Sequence, residues 1–162
     1  MLRAAAIDGI ADVRAYPASR RHPQFVQETL ASILDKAGIA YWWLGKALGG
    51  FRRGTSSSIH TALAGDSLRA YAEHMHTAAF QQGIADLMSC ASQETTAILC
   101  AERLPRYCHR ALISDYLTVN GIAVVHVLES GHQIPHRVNR LARWEQGQLI
   151  YDQGGGQLGW KF

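Results

Sequence analysis

The sequence predicts an α/β domain with a mostly parallel sheet that helices cover on both faces. Apolar runs of strand length, at residues 10–14, 39–44, 95–100 and 122–128, alternate with amphipathic helical segments. The runs are almost continuously apolar, which is typical of strands buried on both faces of a parallel sheet. Of the 162 residues, 48% are hydrophobic, which is enough for one globular core without a disulfide or metal. A single domain over residues 1–162 is therefore expected.

Helical periodicity fills the intervals between the strands. A first helix is predicted to begin at Pro23 and to end at Gly38, because Pro is favoured in a first turn and Gly can end a helix in the left-handed conformation. Its predicted apolar face consists of Phe25, Thr29, Ile33 and Ala37. Further helices are predicted from Ser67, from Thr77 as a capping residue, and over residues 109–120.

Two segments lack this periodicity. Residues 45–65 are rich in Gly, Ser and Thr and predict a long surface loop, which in a compact domain is usually functional or disordered. Residues 130–162 predict a tail that contains a short hairpin. Among the histidines, His126 lies inside an apolar run and is predicted to be a core residue, whereas His74 and His76 are predicted on solvated helix faces.

Composition excludes several classes of protein. The three cysteines are an odd and sparse set, which argues against a secreted disulfide scaffold and favours a reducing compartment. Neither a signal peptide nor a membrane-spanning run is apparent, so a cytoplasmic location without a membrane partner is expected. The net charge of +3 is small, but 13 of the 16 basic residues are Arg. Arg binds phosphate and carboxylate with a planar fork, although an Arg-rich genome explains the bias equally well.

Polar residues follow the predicted strands where each strand ends. They are Asp12, Arg14, Arg52, Arg53, Cys100, Glu102 and His132. Ligands of open α/β sheets bind beyond the carboxyl ends of the strands, so these clusters are expected to meet at one rim of the sheet. Generic loops also collect polar residues, and convergence alone therefore makes only a modest case for a site.

The densest cluster lies between the third predicted strand and the helix that follows it, and two interpretations of it stay open. Cys100, Cys108 and His109 are ligand types that suit a divalent transition metal, and Glu102 adds an oxygen. A reversible Cys100–Cys108 disulfide belongs to the same class. In the structural interpretation, Cys100 is a small buried residue and Glu102 pairs with an Arg. Cys90 is predicted to belong to the core.

Three motifs in this order resemble the domain-of-unknown-function family 488. The motif residues are Asp12, Val13, Arg14, Pro17, Ser19, Arg20, Pro23, Gln24 and Phe25, then Leu44, Gly45, Leu48, Gly49, Gly50 and Arg52, then Cys100, Ala101, Glu102, Cys108, His109 and Arg110. The ending over residues 157–162 is similar to the family's terminal motif, with Gly159 and Trp160 in place of its commoner residues. The resemblance implies a Rossmann-like three-layer α/β domain that is cytoplasmic in bacteria or archaea. It implies no particular reaction.

The chain departs from the family at its beginning. Family members typically start with an extra strand and a full helix, whereas this chain starts inside that helix, at residues 2–6. A sheet without that strand exposes unpaired backbone groups at an edge, which invites pairing with a second chain. The chain is therefore expected either to be less stable than a longer form or to associate as a homodimer through the exposed sheet edge.

Three functional hypotheses follow. The leading one is a small α/β enzyme that binds a phosphate-bearing ligand, a nucleotide or a nucleic acid, through Asp12, Arg14, Arg20, Arg52 and Arg110. Glu102 would act as acid or base, with Cys108 and His109 orienting or reacting. The second is a metal-binding or thiol redox protein centred on Cys100, Cys108 and His109. The third is a non-catalytic module that binds nucleic acid through Arg137, Arg140 and Arg143.

Overall fold

The computed structural model describes residues 2–54, 57–128 and 132–152. These residues pack as two compact units, the first within Met1–Gly49 and Ala79–Ala101, the second within Gly50–Ala78 and Glu102–Phe162. The single domain expected from the sequence stays a prediction. No helix in the described part of the chain is both long enough and apolar enough to cross a bilayer.

The first unit is built on a three-stranded parallel sheet. Strand β1 (Gly9–Asp12) lies between β2 (Ala40–Trp43) and β3 (Thr96–Leu99). Both pairings are parallel, and they place Asp12 beside Trp43 on one side and Leu99 on the other. All four residues of β1 are buried, as expected for a central strand. The predicted α/β class is therefore confirmed, while the Rossmann-like three-layer arrangement stays a prediction.

The helix that follows β1 packs against this sheet, and it corrects the sequence analysis. Residues Pro23–Phe25 form a separate 3-10 turn, Val26 is extended, and helix α1 begins only at Gln27 and ends at Lys36. The predicted apolar face is wrong for three of its four residues: Phe25 and Ile33 are 43% and 47% exposed, and Thr29 is also exposed, whereas Ala37 is partly buried. The buried residues are instead Leu30 and Leu34, which pack with Ile7, Ile10 and Ile39.

Two further helices complete the first unit. Helix α2 (Gly45–Leu48) lies at the start of the predicted loop over residues 45–65. Helix α4 (Ala78–Gln93) buries Phe80, Ile84, Leu87 and Cys90, which agrees with Cys90 as a core residue. Of the apolar face predicted for this helix, Phe80, Ile84 and Leu87 are buried, Met88 is partly exposed and Ala91 is exposed. Gly83 of α4 packs against Leu48, and a Cβ at Gly83 would lie 2.8 Å from a Leu48 methyl carbon, so this close packing requires glycine.

The second unit contains two helices and two antiparallel hairpins. Helix α3 spans Asp66–His74 and helix α5 spans Arg110–Val119. Strand β4 (Val125–Val127) pairs with β5 (Gln133–Pro135), and β6 (Ala142–Glu145) pairs with β7 (Gln148–Tyr151). The β6–β7 pair confirms the predicted hairpin. Gln146 and Gly147 join its strands with φ values of 49° and 80°, as in a type I′ turn.

The fourth predicted strand, residues 122–128, corrects the expected topology. Only Val125–Val127 is extended in a sheet, and it pairs antiparallel with β5 rather than joining the parallel sheet. An antiparallel partner a few residues away needs only a short connection, whereas a parallel one needs a crossover. Val125 is 47% exposed, which does not fit a strand covered on both faces.

Candidate functional site

A cysteine, a histidine and an arginine meet at the start of α5. The Sγ atom of Cys108 lies 3.5 Å from Nδ1 of His109 and accepts hydrogen bonds from the backbone N–H and from Nε of Arg110, each at 3.5 Å. The side chain of His109, the N-cap residue of α5, makes no capping hydrogen bond. The sulfur of Cys108 therefore lies where the first-turn amides need an acceptor. Cys108 is only 2% exposed. From here on, "the thiol group" means these three residues together, Cys108, His109 and Arg110, and not the sulfhydryl alone.

The geometry of the thiol group suits a thiolate. Negative charge on sulfur is stabilised by the N–H donors at a helix N-terminus and by a neighbouring guanidinium. A thiol beside an imidazole is also the arrangement that activates a nucleophile, because the ring nitrogen can take the proton. The thiol group is therefore able to hold an anion or a metal ion and to react covalently.

Three features hold the thiol group in place. The ring of His109 packs against Tyr71 of α3 with centroids 4.9 Å apart. The backbone of Gly50 also lies close to the His109 ring, so close that a Cβ there would lie 2.4 Å from Nδ1. The guanidinium of Arg110 also donates to the backbone oxygen of Glu102, which ties the preceding loop to the helix. These contacts explain why Gly50 belongs to the site.

Four arginines lie on the chain segments next to the thiol group. Arg52 and Arg53 follow Gly50 in the chain, and Arg103 and Arg106 precede Cys108. Glu102 is exposed. The structure thus brings Cys108, His109 and Arg110 together in the second unit, with Arg52 on the segment that begins beside His109. The catalytic and binding roles predicted for Glu102, Cys108, His109, Arg52 and Arg110 stay predictions.

The site residues predicted in the first unit form a buried ion pair. Nε of Arg14 donates to both carboxylate oxygens of Asp12 at 2.9 and 3.0 Å, and NH1 of Arg14 donates to the backbone oxygen of Phe25 at 2.7 Å. Tyr41 donates its hydroxyl to the same carboxylate at 2.7 Å. The hydrogen bond to Asp12 raises the pKa of Arg14, and burial raises the pKa of Tyr41. Arg20 is exposed.

This pairing limits the hydrogen-bond donors and the charge that Arg14 can offer to a ligand. Its Nε, NH1 and NH2 atoms all donate to groups of the first unit, and the guanidinium charge is balanced by Asp12. The arrangement fixes the carboxyl end of β1 to the segment around Phe25. Ligand binding by Asp12, Arg14 and Arg20 stays a prediction.

The predicted metal ligands are divided between the two units. Cys100 belongs to the first unit, and Cys108 and His109 belong to the second, so the metal site expected from the sequence stays a prediction. Thiolate and imidazole are ligands for zinc and other divalent transition metals, so the donor set matches the expectation. All three cysteines are free thiols in this structure.

A buried network in the second unit is the feature that the sequence analysis missed. Asp115 of α5 accepts hydrogen bonds from Nε2 of His136 at 2.8 Å, from the backbone N–H of Asn139 at 2.9 Å and from the hydroxyl of Tyr151 at 3.0 Å. Nδ1 of His136 lies 2.8 Å from Nε2 of His126. Because the N–H at Nε2 of His136 donates to the Asp115 carboxylate, the Nδ1 atom of a neutral His136 is left to accept a hydrogen bond from Nε2 of His126.

Burial shifts the pKa values of two residues in this network. It lowers the pKa of His126 to about 4, with further contributions from His136 and Arg110, and it raises the pKa of Tyr151. His126 is a hydrogen-bonded core histidine, as predicted. The sequence signal for the network was Asp115, a carboxylate among the apolar residues of α5.

A second pair of histidines lies near Tyr151. His60 is fully buried and accepts from the backbone N–H of Tyr151 at 3.3 Å, while its ring centroid lies 5.1 Å from that of His76. Burial lowers the pKa of His60 to about 4. His76 donates from Nε2 to the backbone oxygen of Leu149 at 3.2 Å and is only partly exposed, so the prediction of a solvated His76 is wrong.

One of the three tail arginines predicted to bind nucleic acid, Arg143, is engaged in ion pairs. Nε of Arg143 donates to both carboxylate oxygens of Asp152 at 2.9 Å, and its NH1 pairs with Glu145. The hydrogen bond to Asp152 raises the pKa of Arg143. Arg137 and Arg140 are exposed. The terminal motif over residues 157–162 lies outside the described residues.

The fold and the site together define an α/β protein with a parallel sheet and a thiol group at the N-terminus of a helix. A family model described as "Domain of unknown function DUF488" matches residues 1–117, well over half of the chain. The chain therefore belongs to the DUF488 family, as the motif resemblance implied. Comparison with curated proteins and with solved structures found no match.

Proposed function

We propose that this protein is a small cytosolic α/β enzyme that binds a phosphate-bearing ligand at the thiol group. The observation that carries the proposal is the pair of hydrogen bonds from Arg110 to the sulfur of Cys108, beside His109 Nδ1. The sulfur accepts from the backbone N–H and Nε of Arg110, and the positive charge of the guanidinium attracts a further anion such as a phosphate group.

The arginines of the neighbouring segments support an anionic ligand. Arg52 and Arg53 lie on the segment that passes against His109, and Arg103 and Arg106 lie on the loop that leads to Cys108. Glu102 is the one acid between Cys100 and Arg110. In the proposed enzyme, Cys108 and His109 are the reacting groups, and the exposed Glu102 serves as acid or base.

Thermal stabilisation by ligand tests the binding part of the proposal. Inorganic phosphate or a nucleoside monophosphate at about 100 times its dissociation constant adds roughly 2.7 kcal/mol to the free energy of unfolding, a readable shift in Tm. We expect Arg110→Ala to abolish the ligand-induced shift and Arg137→Ala, the loss of an exposed arginine elsewhere in the second unit, to preserve it. An equal shift in both variants would contradict the proposal.

Turnover tests the catalytic part. We expect hydrolysis of nucleoside phosphates by the wild type to be lost in Cys108→Ser while the ligand-induced Tm shift persists. Cys90→Ala is the matched control, because Cys90 belongs to the core of α4. Turnover that survives Cys108→Ser would remove Cys108 from the mechanism.

A metal-binding or thiol redox protein centred on Cys100, Cys108 and His109 is the second candidate, favoured by the 3.5 Å distance between Sγ of Cys108 and Nδ1 of His109. These residues would hold a divalent transition metal, which supplies Lewis acidity when it is bound. Elemental analysis of the purified wild type should then find about one metal ion per chain, and Cys108→Ser should find none. A metal-free wild type would leave only the redox version, in which Cys100 and Cys108 form a reversible disulfide.

A further inference from the structure

We propose that the phosphate-bearing ligand carries a nucleobase, which stacks on Tyr107. This inference rests on the proposed function, since it names the class of ligand that the thiol group takes. Tyr107 directly precedes Cys108, and its ring is the surface on which we place the rest of a ligand whose phosphate lies at the thiol group.

The Tyr107 ring is presented to solvent by a short, well-tied turn. Pro105–Tyr107 forms a 3-10 turn in which Pro105 is buried and anchors the segment. The backbone N–H of Tyr107 donates to Leu104 at 3.3 Å, and that of Cys108 donates to Pro105 at 2.9 Å. Tyr107 is nevertheless 56% exposed. A held but exposed ring loses little conformational freedom when a ligand stacks on it.

Arg106 completes a platform for a planar aromatic ligand. Its guanidinium carbon lies 4.8 Å from the centroid of the Tyr107 ring. A cation on one face of the ring leaves the other face for a base, and proteins that bind unpaired bases combine aromatic rings and Arg planes in this way. Exposed aromatic residues are common singly, so the position beside Arg106 and Cys108 carries more weight than exposure.

A polar atom without a partner points to the same place. Nε of Arg106 is buried and has no hydrogen-bond partner among the described residues. A buried donor without an acceptor is costly to the folded protein, and a ligand oxygen or ring nitrogen would satisfy it. The chemistry that fits is a nucleobase joined to a phosphate, either in a free nucleotide or at a single-stranded end of a nucleic acid.

Isothermal titration calorimetry of the full chain with three probes tests this inference. The probes are adenosine monophosphate, ribose 5-phosphate and a short single-stranded oligoadenylate. We expect the wild type to bind adenosine monophosphate about tenfold more tightly than ribose 5-phosphate, because the base adds its stacking. Tyr107→Ala should remove this difference without changing the affinity for ribose 5-phosphate, and Tyr107→Phe should retain it. Tighter binding of the oligoadenylate would identify a nucleic acid as the source of the base.

The variants separate this inference from the proposed function. Equal affinity of the wild type for adenosine monophosphate and ribose 5-phosphate, unchanged in Tyr107→Ala, would overturn the nucleobase while leaving phosphate binding intact. Binding of both probes that is unaffected by Arg110→Ala would overturn the proposed function and this inference with it. Because Tyr107 is exposed, Tyr107→Ala should melt at the wild-type Tm, which confirms that the variant is folded.

Discussion

Nε2 of His136 lies 2.8 Å from Oδ1 of Asp115, and both side chains are fully buried. The same carboxylate accepts from Tyr151 and from the backbone of Asn139, so Asp115 connects α5 with β7 and with the segment between β5 and β6, which carries His136 and Asn139. A buried charge with this many donors is worth most to the fold when every partner is in place.

Replacing Asp115 should therefore destabilise the protein strongly. Asp115→Asn puts an amide N–H₂ where a carboxylate accepted, and we expect a loss of about 3 kcal/mol in the free energy of unfolding, measured by urea denaturation. Asp86→Asn makes the same exchange at an exposed position of α4 and should change stability by less than about 0.5 kcal/mol. Equal effects of the two substitutions would show that the network adds no stability.

Stability should fall as the pH falls from about 6.5 to about 4, because His60 and His126 have folded-state pKa values of about 4. In this pH range the two histidines bind protons in the unfolded chain but stay neutral in the folded chain, so acid favours unfolding. Each pH unit costs up to about 1.4 kcal/mol for each histidine.

Urea denaturation at several pH values measures this slope. His60→Phe should make the slope shallower, because it removes a histidine whose pKa is lowered by burial and by the neighbouring His76. His22→Gln, at an exposed position, should leave the slope unchanged. A wild-type stability that is constant between pH 6.5 and pH 4 would contradict this account of the two buried histidines.

Arg14 should prove necessary for stability. Arg14→Lys keeps the charge but loses the fork that spans both oxygens of Asp12 and reaches the oxygen of Phe25, and we expect a loss of about 2–4 kcal/mol. Arg20→Lys is the control, because Arg20 is exposed. Thermal denaturation of the two variants compares them, and a wild-type Tm for Arg14→Lys would show that the fork adds nothing.

Gly50 should be required for the position of His109. In Gly50→Ala the new Cβ would lie 2.4 Å from His109 Nδ1, which is closer than real contacts, so the imidazole must move away from its place beside Cys108. We expect changed His109 ring resonances in NMR spectra and a weakened response to phosphate.

Gly54→Ala is the matched control for this substitution. Its Cβ would lie 3.1 Å from the Cβ of Ala70, which requires a shift of only a few tenths of an ångström. Identical His109 resonances in Gly50→Ala and in the wild type would contradict the proposed packing.

The parts of the fold with strong local signals were predictable. The β1–β2–β3 strands, helix α4 and the β6–β7 hairpin follow from apolar runs, helical periodicity and a Gln-Gly turn. The face of α1 was not, because the helix carries apolar residues on more than one face, and residue type alone does not tell that Leu30 and Leu34 are buried while Ile33 is exposed. The pairing of β4 was not either, since an apolar run does not specify its partner.

The same division applies to the site. Cys108, His109 and Arg110 are consecutive, so their proximity was readable from the sequence. The Asp115–His136–His126 chain joins residues that are 21 and 10 positions apart, and only the tertiary fold brings them together. The pairing of Arg14 with Asp12 was likewise hidden, because two residues of opposite charge at a strand end fit a ligand site and an ion pair equally well.

An NMR titration of the isotope-labelled protein with inorganic phosphate tests the central claim most directly. If the thiol group is the anion site, the largest changes in backbone amide shift fall at Cys108, His109 and Arg110, and they vanish in Arg110→Ala. Changes of equal size around the exposed Arg137 and Arg140, or the same changes at Cys108 in Arg110→Ala, would contradict it.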